Sequence, residues 1–353
     1  MKGSVLKDQR RMVLSKRDFA RWVECVQRKA PVFAPQRTPS GEHLVLPLAE
    51  PADLVFDYVN SVEPLKAFFF PQVEPMFRYR RENGRYHLEA AWEREQRVLV
   101  GVRSCDVSAL KMLDAALLPP PEDSYYRAQR EQTTIVSLAC LRGGKNCFCI
   151  CTDSGPFLTE GYDVQLADLG DRYLVEVGSE KGEALVQGCD EWLKQATRED
   201  VKARVEAEAK ARDAFQLTHC YMAAAMRRLT RNEVEPEVWR ELGPLCVECG
   251  GCTYACPCCY CFNVVDLPEE SGGTRLRFWD HCILAGYARE ASGHNPREER
   301  GERLRHRLFH KISRQYFVKL GALGCVGCGR CVAACPTGAN MPMLVEAVRK
   351  GVE

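Results

Sequence analysis

The pattern Cys-x-x-Cys-x-x-Cys-x-x-x-Cys-Pro occurs twice, as Cys246, Cys249, Cys252, Cys256, Pro257 and as Cys325, Cys328, Cys331, Cys335, Pro336. Few features restrict a fold more, because three thiols on one tight loop need a common partner. Met1 to Arg11 is polar and basic without an apolar core, so no secretory signal is expected and the chain reads as cytoplasmic. In a reducing compartment disulfides are disfavoured and thiolates bind soft metals. The spacing is that of bacterial ferredoxin loops for 4Fe-4S clusters, in which three thiolates hold three corners and the fourth reaches the neighbouring cluster. The expected ligand sets are Cys246, Cys249, Cys252 with Cys335, and Cys325, Cys328, Cys331 with Cys256. Gly250, Gly251, Gly324, Gly327 and Gly329 suit a backbone that must approach cluster sulfurs closely. Paired Cys-x-x-Cys units also form zinc sites, but those pairs usually stand ~12–20 residues apart rather than running together with a following proline.

Cysteine is abundant elsewhere too, at 20 of 353 residues. Cys105 comes just after the β-branched run Arg97 to Val102, and Cys140 just after Thr133 to Leu138. Both runs read as buried strands, and Val107, Leu110, Leu113 and Leu117 mark a helix between them that stops at Pro119 to Pro121. In such a strand-helix-strand unit, ligands collect at the carboxyl ends of the strands. Cys105 and Cys140 are thus expected at one edge, with Cys147, Cys149 and Cys151 following in the loop LRGGKNCFCIC. A third 4Fe-4S cluster on Cys105, Cys140, Cys147 and Cys149 is the leading expectation. A zinc site and unligated or redox-active thiols are the competing readings, since no standard spacing constrains this group.

Cys258, Cys259, Cys261 and Cys282 read as inert buried cysteines or as an auxiliary thiol relay. Cys25, Cys189 and Cys220 lie on helical patterns and read as core.

The remaining sequence supplies organisation. Ser15 and Asp18 resemble a capping box ahead of the helical repeat Phe19, Trp22, Val23, Val26. Strand-like pieces at Asp163 to Leu166 and Tyr173 to Val177 precede a charged helical stretch, Lys181 to Leu217. Residues 257 to 324 read mainly as helix. The expected architecture is α+β and multidomain: an α/β domain over 1–220 and an all-helical two-cluster ferredoxin-type domain over 221–353.

Lys+Arg 49 against Asp+Glu 48 gives no whole-chain attraction to nucleic acid. The basic run His294 to His310, broken by Glu298, Glu299 and Glu302, reads as a solvated helix face. Arg103, Lys145 and Arg330 flank cysteines and read as surface charge. No apolar run reaches the ~20 residues of a membrane span, so membrane insertion is not expected. Neither G-x-G-x-x-G after a strand nor a P-loop is present, so no flavin or nucleotide is expected on this chain alone.

The segments GVRSCDVSAL (101–110), CFC (147–149), CVECGGCTYACPCCYCF (246–262), GERLRHRLFHK (301–311) and CVGCGRCVAACP (325–336) together resemble the iron-sulfur beta subunits of cytoplasmic NiFe (sulf)hydrogenases and the A subunit of anaerobic sulfite reductase. The resemblance implies a helical ferredoxin-type C-terminal domain and a partner subunit that carries flavin and binds NAD(P)H. It implies a terminal reductase or NiFe hydrogenase subunit, with no nickel site in this chain. It also implies ligand roles for Cys105, Cys140, Cys147 and Cys149. Cys151 and Cys258 depart from the family pattern and receive no role from it. The expected function is therefore one-electron relay between those partners, with no catalytic residue assigned. Reduction of a disulfide substrate near Cys258 and Cys259 is the alternative.

Overall fold

The computed structural model describes residues 10–91, 95–216 and 220–351. Strand β1 (Arg11–Ser15), helix α1 (Phe19–Gln27) and strands β2 (Val32–Arg37) and β3 (His43–Pro47) come first, followed by the hairpin β4 (Val73–Glu82) and β5 (Arg85–Ala90). The expected crossover unit is present as β6 (Arg97–Arg103), α2 (Ser104–Leu117), a further helix α3 (Ser124–Gln132) and β7 (Thr133–Leu138). Strands β8 (Val164–Asp168) and β9 (Arg172–Val177), helix α4 (Glu180–Gln187), strand β10 (Leu193–Gln195) and helix α5 (Arg198–Asp213) follow.

Eight of these strands form one sheet in the order β10-β1-β9-β8-β7-β6-β2-β3, with β2, β6, β7 and β8 mutually parallel. The β-branched β6 and β7 are buried along nearly their whole length, as parallel strands covered on both faces must be. Their pairing runs to Arg103↔Leu138, so Cys105 and Cys140 leave the sheet at the same edge. Gly101, at φ +80°, carries the bulge in β6 that turns this edge, and a Cβ there would lie 2.7 Å from the Phe56 ring.

The charged stretch from Lys181 is not one helix. α4 ends at Gly188, Leu193–Gln195 joins the sheet edge beside β1, and α5 begins afresh. Its anticipated end at Leu217 lies outside the described residues. The capping box belongs to α5, where Thr197 and Asp200 satisfy each other's backbone N–H; α1 starts after Asp18 without a side-chain cap.

Beyond residue 220 the chain forms α6 (Met222–Thr230), α7 (Pro236–Leu242), the single turn α8 (Gly251–Tyr254), strands β11 (Phe262–Glu269) and β12 (Gly272–Trp279), and helices α9 (Arg300–Ile312), α10 (Arg314–Leu320), α11 (Arg330–Ala333) and α12 (Met341–Lys350). This half is not all-helical. β11 and β12 form a hairpin in the register Phe262↔Trp279, and β12 pairs antiparallel with β4 in a four-stranded sheet, β11-β12-β4-β5. The reason is local: Val264 and Val265 favour extended backbone, and Gly272 admits Tyr79 of β4 so closely that a Cβ would lie 2.1 Å from its carbonyl oxygen. The second half thus continues a sheet begun in the first.

One buried cation fixes that seam. Arg277 on β12 is 2% exposed and bonds Glu74 of β4 (Nε to Oε2 2.6 Å) and Asp123, the N-cap of α3. Removing one partner of a buried pair strands the other charge, typically at 3–5 kcal/mol. Arg277→Ala is expected to lower unfolding free energy by about that amount. Denaturant titration checks this, and a loss below about 1 kcal/mol would show the seam is held otherwise.

Cys25 and Cys189 are buried in the core beside the main sheet, as expected, but they are also joined as a disulfide, contrary to the expectation that none would form. Their separation of 164 residues left no local trace. The chain just beyond α1 meets the end of α4, where Lys29 Nζ donates to Ala184 O (3.1 Å), and this brings the two together.

Candidate metal centres

The first loop, with Gly250 at φ +74° leading into α8, lines a cavity together with Cys335 and Pro336: its walls include Cys246, Cys249, Cys252 and Cys335. The second loop lines another, whose walls include Cys325, Cys328, Cys331 and Cys256, with Cys258 beside them. In each case the fourth cysteine comes from the other motif, which is the crossed arrangement expected from spacing. The thiols surround space rather than close on a point: among the described residues no three Cys, His, Asp or Glu side chains are placed to hold a single ion. Burial pushes the thiols of Cys252 and Cys325 up, and that of Cys328 up to about 12. Filling these sites with a thiolate-bound metal group therefore requires proton release.

The polar groups around the cavities fit an anionic occupant. On α9 Arg303, Arg307 and Lys311 repeat every fourth residue and point inward, 3%, 2% and 5% exposed, correcting the expectation of a solvated face. At 1.5 Å rise per residue they span about 12 Å, enough to pass both sites. Arg303 clamps Glu248 of the first loop and the carbonyl of Ile283 (3.0 Å). Arg307 lines the second cavity near Cys252, Cys331 and Cys256, and its Nε and Nη1 have no hydrogen-bond partner. Lys311 Nζ lies 3.5 Å from Cys256 Sγ. Buried charges need pairing, and the groups facing Arg307 and Lys311 are thiols. His281, beside Gly250, is likewise buried with both ring nitrogens unpartnered.

The third cysteine group does converge. Cys105 opens α2, Cys140 follows β7, and Cys147 and Cys149 come from the loop beyond; Cys140 and Cys147 both act electrostatically on Cys149, as Cys149 does on Cys105. Burial pushes the thiols of Cys105, Cys147 and Cys149 up. Cys151 turns away toward Cys220. The group sits against the second loop. Phe148 N–H donates to Gly327 O (2.8 Å), and Gly327, at φ +58°, has no room for a Cβ, which would lie 2.5 Å from Phe148 O. Asn60 spans the two, donating to Cys328 O (2.7 Å) and accepting from Cys105 Sγ (3.7 Å).

Arg330, between Cys328 and Cys331, makes a two-pronged bond to Asp106 (2.8 and 2.9 Å), the neighbour of Cys105. Arg330 and Arg103 are buried, not surface charges; Lys145 is exposed as expected. Arg103 stacks on Tyr58, 4.1 Å from its ring centre, and faces Cys140.

Cys258 and Cys259 hydrogen-bond Cys256, and Cys261 pairs with Cys282. Asn60, the Arg330–Asp106 pair and the inward face of α9 are not among the residues the sequence singles out; of these only α9 carries a signal, in its four-residue spacing of cations beside Leu304, Leu308 and Ile312. A larger cavity of about 910 Å³ between α7 and α9 has no cysteine in its walls.

Two crossed four-thiol cavities with buried cations define a two-cluster iron-sulfur protein, and residues 245–339 match the family described as 4Fe-4S dicluster domain. Along most of its length the chain is similar to sulfhydrogenase 2 subunit beta of Pyrococcus furiosus: 31% identity over 309 residues, covering 85% of this chain and 87% of the relative. The chain belongs to the family of iron-sulfur beta subunits of sulfhydrogenases. It is an iron-sulfur electron-transfer subunit of an oxidoreductase with a place for at least two 4Fe-4S clusters. No helix among the described residues is long and apolar enough to cross a membrane.

Proposed function

We propose that the chain relays single electrons between a flavin- and NAD(P)H-binding partner and a terminal reductase or hydrogenase subunit in the cytoplasm. Three neighbouring sites serve the relay: Cys246, Cys249, Cys252 and Cys335; Cys256, Cys325, Cys328 and Cys331; and Cys105, Cys140, Cys147 and Cys149. The observation that carries the reading is the pair of crossed four-thiol cavities, with the third thiol group packed on the second loop. Bound there, 4Fe-4S clusters would each take and give one electron, which divides a hydride's two electrons into separate transfers.

The polypeptide holds positions and charges. Gly327 and Gly329 let the second loop lie directly on the 146–149 backbone, which sets the distance between second and third sites. Arg330 locks that contact through Asp106. Arg307 and Lys311 offset the negative charge that thiolate ligation brings into a buried place, and burial excludes water.

Air-free purification with iron and sulfide analysis tests this. About 12 iron and about 12 acid-labile sulfide per chain are expected for three four-iron sites. A reproducible value of about 8 after full reconstitution would remove the third site, and absence of both sulfide and a reduced-state paramagnetic signal would overturn the relay. Mass spectrometry of the co-purified complex tests the partners.

A further inference from the structure

The hairpin β11–β12 does more than extend a sheet. Its pairing Phe262↔Trp279 continues into a bond from Asp280 N–H to Cys261 O (3.2 Å), which brings Cys261, just before β11, against Cys282, just after β12. Cys261 Sγ accepts hydrogen bonds from the Cys282 thiol, from the Cys282 backbone N–H and from the Tyr287 hydroxyl. Neither cysteine belongs to the twelve assigned to metal above. Both line a cavity of about 410 Å³ that also touches the second site, sharing Cys258, Arg307 and Lys311 with it. The cavity reaches the surface at Phe262 and Lys319. Its walls hold the cations Arg307, Lys311 and Lys319 and no carboxylate.

We propose that Cys261 and Cys282 form a redox-active dithiol that reduces small anionic disulfides in this cavity. The pair has the parts such chemistry needs: a more exposed attacking sulfur, a buried resolving sulfur touching it, and an electron source next door. The bond from Cys282, aided by Tyr287, holds the Cys261 thiol down to about 6, so its thiolate is present at neutral pH.

Cys261 thiolate attacks one sulfur of RSSR, forming a mixed disulfide and expelling RS⁻, which takes a proton. Cys282, losing its proton, attacks the Cys261 sulfur, closes the Cys261–Cys282 disulfide and releases the second RS⁻, which is protonated in turn. The substrate gains two electrons from the cysteine pair and two protons, one from Cys282 and one from solvent. Regeneration takes two electrons, which iron-sulfur clusters held by the assigned cysteines would supply singly, and one proton from solvent, returning Cys282 to the thiol and Cys261 to the thiolate. That supply rests on the relay proposed above; the thiol exchange does not.

The test uses the full iron-loaded chain without oxygen. Poised in dithiothreitol buffers of graded potential, then alkylated and digested, Cys261 and Cys282 are expected to lose and regain reactivity together, as a two-electron couple, at constant iron content. With 3,3′-dithiodipropionate, Cys282→Ser is expected to trap the half-probe on Cys261, and Cys261→Ser to trap none. Dicationic cystamine is expected to react at least several-fold more slowly.

A pair that never forms a disulfide, a half-probe trapped elsewhere, or faster reaction with cystamine overturns the proposal. So does loss of about four iron in a Cys261→Ser/Cys282→Ser chain, which would make these cysteines ligands. The poise experiment needs no variant to fold and no cluster to be reduced. The paramagnetic signal of the reduced clusters reports separately on the relay, so the two failures are distinguishable.

Discussion

On the three-site relay proposed above, Cys328→Ser is expected to remove about four of the iron atoms and to leave the remaining two groups magnetically isolated from each other. Cys328 is 8% exposed and lines the second cavity. Its carbonyl accepts from Asn60, which also contacts Cys105 and Cys147 of the third group. On the other side, Cys331 of the same loop acts electrostatically on Cys252 of the first. The second site therefore lies between the others, and its loss breaks the row in the middle. Cys249→Ser, at an exposed cysteine of the first loop, is expected to remove a similar amount of iron while leaving second and third sites adjacent. Dithionite-reduced paramagnetic spectra separate the cases: the broadening that neighbouring spins impose on one another should vanish in Cys328→Ser and persist in Cys249→Ser. Broadening that survives in Cys328→Ser would mean the first and third sites are neighbours, and the row would have to be redrawn.

What the sequence showed and what it hid divide along one physical line. The paired loops were legible because a cluster needs its ligands at fixed short spacing, so the constraint is written into consecutive residues. The gathering of Cys105 with Cys140 was legible for a related reason: two buried β-branched runs flanking a helix almost require a parallel pair, and parallel neighbours end at the same edge.

The Cys25–Cys189 disulfide, the Asn60 bridge and the Arg330–Asp106 bond join residues far apart in the chain. Such contacts depend on how finished elements pack and leave no periodicity to read. Two differences are of another kind, since the sequence carries the signal. The hairpin at 262–279 has β-branched and aromatic runs around a Ser-Gly-Gly turn, but it lies between two cluster loops in a stretch whose other segments are helical. The cations of α9 suggest a wet face because Arg and Lys are mostly exposed; at four-residue spacing beside Leu304, Leu308 and Ile312 they lie on the buried stripe.

That stripe leads to the second large effect. Arg307→Met is expected to lower the reduction potential at the second site by about 90 mV. Arg307 is fully buried, two of its guanidinium nitrogens lack partners, and it faces Cys252, Cys331 and Cys256 from a wall of the second cavity. Reduction adds one negative charge there, and a cation at a distance of about 8 Å with an effective dielectric near 20 stabilises that charge by about 2 kcal/mol. At roughly 59 mV per tenfold change for a one-electron couple, this is about 90 mV. Methionine keeps much of the length and packing, and it removes the cost of burying a charge, so folding of the metal-free chain should suffer little. Arg307→Lys keeps the charge and is expected to restore most of the potential. Redox titration followed by paramagnetic resonance measures the shift. If methionine and lysine move the potential equally, the arginine acts through shape alone, and the pairing of buried cations with cluster charge along α9 fails as an account of why they point inward.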